Sequence, residues 1–186
     1  MNNKNFWTSA ASNGVVVGLF LAVTYAIETT LTVKASGAAL LQILSLLFFA
    51  GHYFLLHYFT RRRSMLYTVE EGYSFGQAWA YVQMMSLLSG VILGAGFFIY
   101  LHTILGYDVF IEFYKQTFAE AARVSGDVAT GNMMIKMLDE MPEPSPLVII
   151  FSFSFMQWLF GALYGLVIAG FARRRPQLFN THKDNE

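Results

Sequence analysis

Glu28, His52 and His102 are ionisable residues inside long uncharged stretches or at their edges, and chemistry would have to start from such groups. A carboxylate and two imidazoles can relay a proton or hold an ion. An ionisable group within a membrane span is a functional candidate by default. His52 precedes Arg61 by about 13 Å of helix rise, which puts it deep in its stretch. Glu28 and His102 fall near the opposite side of the apolar layer and can meet across two helices. The sharp expectation is a proton or ion path through His52, with Glu28 and His102 at its mouth. The plain one is a histidine bonded to a neighbouring helix. His57 lies roughly 140° round a helix from His52, a poor chelating geometry beside the i, i+4 spacing of zinc motifs. Gln42, Gln83 and Gln157 add neutral polar groups for bonds between helices.

The other concentration of reactive types is "EEGYSFGQAWAY" at residues 70–81. A carboxylate pair here would need a positioned partner and a water-excluding pocket, and neither is legible. Ser74-Phe75-Gly76-Gln77 instead has the S-x-x-Q spacing of a capping box. Glu70 and Glu71 sit just before the positive end of the helix dipole, and Trp79 and Tyr81 suit an aromatic belt at headgroup level. There is no Walker loop, HExxH, GxSxG or dinucleotide fingerprint, and there are no cysteines. No catalytic residue, cofactor or metal ligand is therefore assigned.

The elements that must position these residues are read from charge. Hydrophobic residues make up 55 % of the chain and charged residues 13 %, against about 25 % charged in an average soluble domain. Charge is absent between Lys4 and Glu28, from Ala35 to Thr60, from Gly72 to Tyr107 and from Ser145 to Ala172. Each run exceeds the roughly 20 residues that a helix needs to cross the hydrocarbon layer. The expectation is an all-α integral membrane four-helix bundle in one domain, residues 1–186, with spans at about 9–31, 38–60, 75–105 and 147–172. The first run also has the parts of a signal peptide, with Lys4 as its basic end. Net charge is zero, so nucleic acid is not an implied partner.

Two triplets, Arg61-Arg62-Arg63 and Arg173-Arg174-Arg175, follow the second and fourth runs. Cations are retained on the cytoplasmic side, which gives N-in, C-in with both triplets inside as basic anchors beside Lys4 and Lys183. Lys34, Lys115, Arg123 and Lys136 then lie outside. The outer loop, about 106–146, carries apolar residues at three- and four-residue intervals from Phe110 to Ala122, and a methionine-rich second segment at about 129–140. Both read as short amphipathic helices, closed by Pro142, Pro144 and Pro146. They form either a docking surface or lid, or an interfacial helix on the headgroups.

Gly14 and Gly18, Gly90 and Gly94, and Gly161 and Gly165 are spaced four apart on three of the helices. Such strips let another backbone approach closely, within the bundle or between chains of a homo-oligomer. "GVVVGLFLAVTY" also resembles "GVILGAGFFIYL", and "YFTRRRS" resembles "GFARRRP". The chain therefore reads either as a parallel duplication of a two-helix unit or as two short matches arising by chance.

Asn13-Gly14 opening helix 1, Tyr73-Ser74-Phe75-Gly76-Gln77-Ala78 opening helix 3, and an acidic, aromatic-rich outer loop closed by prolines together resemble the domain of unknown function 4199 family. These are small four-helix membrane proteins of Bacteroidota. Many members carry a proline soon after helix 3, which Gly106-Tyr107-Asp108 lacks. The resemblance implies a multi-pass protein of the bacterial inner membrane and transfers no catalytic residue. It also implies a glycosyltransferase-like partner in envelope or lipid-linked sugar metabolism. The expected function is that of a non-catalytic accessory subunit or scaffold contacting membrane lipids. A small oligomeric transporter or channel is the alternative, and a membrane-embedded enzyme stands third.

Overall fold

The computed structural model describes residues 3–34 and 38–176; Lys183, assigned above to the inner anchors, lies outside them. Six α-helices follow in order: α1 (Asn3–Lys34), α2 (Ala38–Ser64), α3 (Phe75–Tyr100), α4 (Tyr107–Ser125), α5 (Val128–Glu140) and α6 (Pro146–Ala172). Among the described residues there is no strand, only a single antiparallel bridge between Tyr73 and Arg174. The helices α1, α2, α3 and α6 are long and apolar enough to cross a membrane. At 1.5 Å per residue each is about 40 Å or longer, more than the hydrocarbon layer requires.

Sequence dictates the helix ends. Ser74 caps α3: its side chain accepts from the Gln77 N–H at 3.2 Å, and the Gln77 side chain accepts from the Ser74 N–H at 2.9 Å. Ser145 caps α6 ahead of Pro146, whose fixed φ suits the first helical position. At its far end α3 widens into a π-helical turn, Leu101–Leu105, closed by the Gly106 N–H donating to Leu101 O at 2.9 Å. Gly106 has φ +89°, which a side chain would strain, and there the chain turns into α4.

α3 is the centre of the bundle, with α1 packed on one side and α6 on the other. Gly14 and Gly18 of α1 face Met85, Leu88, Ser89 and Ile92 of α3. Gly90 and Gly94 of α3 face Ser154 and Ile150 of α6, while Gly161 and Gly165 of α6 face Ser86 and Trp79 of α3. All three glycine strips are thus occupied inside the chain. The duplicated-hairpin reading would pair Gly14 and Gly18 with α2 as Gly90 and Gly94 pair with α6; they pair with α3 instead.

Three sequence placements change. Tyr81 is fully buried rather than at a lipid-facing belt; its hydroxyl meets Ser9 Oγ and the Asn13 amide, each at 2.7 Å. Trp79 also turns inward, its indole N–H donating to Ala162 O at 3.3 Å. Asn13, read as the opening of the first helix, lies well inside α1 and is one of those Tyr81 partners. The outward hydropathy of Trp79 and Tyr81 is outweighed by the polar partners that the neighbouring helices supply.

α4 and α5 form a hairpin at the end of the bundle opposite the arginines. Gly131 seats against Ala122, and Lys115 pairs with Asp139. Its attachment runs through the start of α4, where Phe110 packs on Phe97. Met133, Met134 and Met137 of α5 remain exposed.

Candidate functional site

α2 is the loosely held helix, and side-chain size explains why. Toward α6 it presents Phe49, His52 and Tyr53, and α6 answers with Tyr164: ring centroids lie 5.4 Å apart for Phe49–Tyr164 and His52–Tyr164, and 5.9 Å for Tyr53–Tyr164. Rings on both sides hold the backbones apart, whereas glycine and serine draw α3 and α6 together. Among the residues of α2 whose burial is described, the buried ones all lie in its second half: His52, Leu56, Thr60, Arg63 and Ser64. Its first half leaves the bundle surface, and a cavity of about 590 Å³ opens between α1, α2 and α6.

Leu21, Thr24, Tyr25 and Glu28 of α1 form one wall of the cavity; Ser45, Phe48, Phe49 and His52 of α2 form a second. α6 supplies Ser152, Phe153, Met156, Gln157, Phe160 and Tyr164, with Leu93 of α3 behind. Two polar atoms in this lining have no hydrogen-bond partner among the described residues, His52 Nε2 and Gln157 Oε1. His52 is 5 % exposed and Gln157 9 %. Both atoms are inaccessible even to water, so they lie behind the cavity wall rather than facing into it, and a buried polar atom left unpaired costs about 1–3 kcal/mol. Among the described residues Glu28 makes no ion pair, and no lysine or arginine lines the cavity.

The cavity is blind. One helical turn further along each helix come Val17, Leu56 and Ile168, which form a fully buried apolar cluster with Met85 and Tyr81. This layer separates His52 from the arginine end.

Of the three polar-path candidates, Glu28 and His52 share this cavity and His102 does not. His102 sits on the π-helical turn, with Nδ1 2.8 Å from Phe98 O and Nε2 2.5 Å from Glu143 Oε1. Both ring nitrogens face acceptors. The expected meeting with Glu28 is replaced by a clasp between the end of α3 and the segment leading into α6. His57 stacks on Tyr53 and takes no part in the cavity. Sequence reading missed Gln157 as a cavity residue and Tyr164 as the contact that sets the gap; a polar residue about two turns from an aromatic on α6 was the only signal.

At the arginine end the six cations divide. Arg63 is buried, its guanidinium 5.1 Å from the Phe6 ring centroid and 4.8 Å from that of Tyr81. Arg174 donates to Ser64 O at 3.3 Å and Tyr67 O at 3.4 Å, and its backbone exchanges two hydrogen bonds with Tyr73. Gly72, at φ +65°, admits this close approach, since a Cβ there would lie 2.7 Å from Arg174 O. Burial pushes the Tyr73 phenol well above its ordinary range, with Arg63 partly offsetting this. Arg61, Arg62, Arg173 and Arg175 stay exposed around this end. Glu70 and Glu71 take structural positions here: Glu71 and Thr68 exchange side-chain-to-backbone bonds at 3.3 Å.

Among the described residues no group of His, Cys, Asp and Glu is placed to hold a metal ion. No curated protein and no solved structure matches the chain. A family model described as "Protein of unknown function (DUF4199)" matches residues 12–174, and the chain belongs to that family.

Proposed function

We propose that this member of the DUF4199 family is a multi-pass protein of the bacterial inner membrane, N-in and C-in, that serves as a non-catalytic accessory subunit. The observation carrying this reading is the built basic end. Arg63 and Arg174 are spent on fixing the α2–α3 loop and the segment after α6, and this holds Arg61, Arg62, Arg173 and Arg175 as one exposed platform. Both triplets meet there, while Lys115, Arg123 and Lys136 lie on the hairpin at the other end, a distribution that supports the orientation. Anionic headgroups and an acidic face of a peripheral enzyme are the chemistries such a platform attracts. The α4–α5 hairpin, with its exposed methionines, offers a second contact surface on the opposite side.

The separation of Glu28 and His52 from His102, and of all three from Glu70 and Glu71, supports a non-catalytic role. A glycosyltransferase-like partner in envelope or lipid-linked sugar metabolism remains the pathway proposed. The test is gentle extraction of the tagged protein from its native membrane, comparing wild type with the Arg62→Ala/Arg175→Ala variant by mass spectrometry. A stoichiometric companion lost in the variant supports the subunit reading. A homo-oligomer without a companion contradicts it and favours the second reading, a small oligomeric transporter or channel, which the cavity holding Glu28 and His52 favours. That reading requires His52→Ala to abolish flux in vesicles while the protein stays folded.

A further inference from the structure

The cavity between α1, α2 and α6 has a chemical bias that its volume alone does not convey. Among the described lining residues the one formal charge is the Glu28 carboxylate, with no lysine or arginine to balance it. Around it stand six aromatic rings: Tyr25, Phe48, Phe49, Phe153, Phe160 and Tyr164. Two contacts among them are edge to face, Tyr25 on Phe153 at 5.4 Å and Phe49 on Tyr164 at 5.4 Å, and Phe160 stacks on Tyr164 at 6.2 Å.

Each possible occupant can be weighed by charge. An anion would face Glu28 with nothing to offset the repulsion. A neutral chain would fill the aromatic walls and leave the half-buried Glu28 carboxylate without a counter-charge. A cation with apolar substituents answers both features: its charge pairs with Glu28, its substituents fill the aromatic walls, and ring faces attract it further. The size suits such a molecule, since small-molecule pockets run to about 300–1,000 Å³.

We propose that this cavity is a binding site for lipophilic organic cations, entered from the end nearer Glu28 and closed at His52. The site is independent of the accessory-subunit reading: it stands or falls on ligand binding, whereas that reading stands or falls on a protein companion.

Tetraphenylphosphonium and tetraphenylborate have nearly the same shape and opposite charge, so the pair isolates the charge preference. Equilibrium dialysis of the full chain in detergent micelles, corrected with protein-free micelles, measures saturable binding of each. The expected result is one saturable site for the phosphonium, none for the borate, and an affinity loss of about tenfold or more in Glu28→Gln. Phe49→Leu, which keeps the charge and removes a ring face, weakens phosphonium binding to a smaller degree. Equal binding of the two ions, no saturable phosphonium site, or unchanged affinity in a Glu28→Gln variant that elutes and melts like wild type overturns the proposal. The phosphonium–borate comparison on the unaltered protein decides it even if the variant fails to fold.

Discussion

α6 touches two helices of this bundle by opposite means. Against α3 it is seated backbone to backbone: a Cβ added at Gly90 would lie 2.5 Å from Ser154 Cα, and one at Gly94 2.7 Å from Ile150 Cα. Against α2 it meets large side chains, with the Tyr164 ring as the hub and Ile168 in one cluster with Leu56, and the space alongside stays open. In water both contacts would be driven closed by the hydrophobic effect. In lipid that force is missing between helices, and packing depends on how closely the backbones can approach. Small residues therefore build the scaffold and large ones build the cavity. The polar residues follow the same division: Ser86 and Ser89 are sealed at the seam, whereas Ser45, Ser152 and Glu28 line the opening.

The largest effect is expected where the seam is broken. Gly90→Ala places a methyl group into the α6 backbone, which cannot yield as a side chain can, and is expected to destabilise by about 3 kcal/mol or more. Gly51→Ala on α2 is its counterpart: the added Cβ would meet the Phe20 ring tip at 2.8 Å, a group free to swing aside. Its thermal midpoint in detergent should stay within a few degrees of wild type while that of Gly90→Ala falls sharply. Equal losses would mean that α2 is as closely held as α3.

A second contrast lies at the arginine end. Arg63→Ala removes a buried guanidinium from two ring faces and its stem from the core, a loss of about 2 kcal/mol. Arg62→Ala, on the exposed side, should cost almost nothing, as surface charges usually do. Thermal unfolding of the two single variants separates them.

How much of this was legible beforehand follows from the range of each interaction. Uncharged runs and the Ser74–Gln77 capping box are local, so the four long helices and the start of α3 could be read from spacing alone. Tyr81 could not. Its burial depends on Ser9, Asn13 and Arg63, which reach it from α1 and α2, and a hydropathy scale sees only an aromatic near a span end. His102 was likewise assigned to Glu28 by depth, but the carboxylate that reaches it is Glu143, beyond two intervening helices. The cavity depends on ring size across α2 and α6, a property of a pair of helices rather than of either sequence. The arginine triplets look identical in sequence, yet one member of each is taken into the structure.

The smallest predicted effect concerns the hairpin. The Asp127 side chain caps α5 by accepting from the Thr130 N–H at 3.1 Å, and hydrogen bonding to Thr130 holds its carboxyl below the ordinary aspartate range. A lowered folded-state value means that the contribution is present above the unfolded value and is lost as pH falls through the folded one, here below about pH 4. Hydrogen exchange at the Thr130 amide, corrected for intrinsic rates, should show reduced protection in that window. Asp127→Asn should remove the pH dependence.

The central claim, an open face beside a closed seam, is tested most directly by thiol labelling, because the chain has no cysteine of its own. Ser45→Cys and Ser152→Cys place thiols on the cavity wall; Ser86→Cys and Ser89→Cys place them in the α3 interior, where both serines are 0 % exposed. With a small methanethiosulfonate reagent on the folded protein, the first pair is predicted to label rapidly and the second to stay protected until unfolding. Similar rates at all four positions would contradict the account.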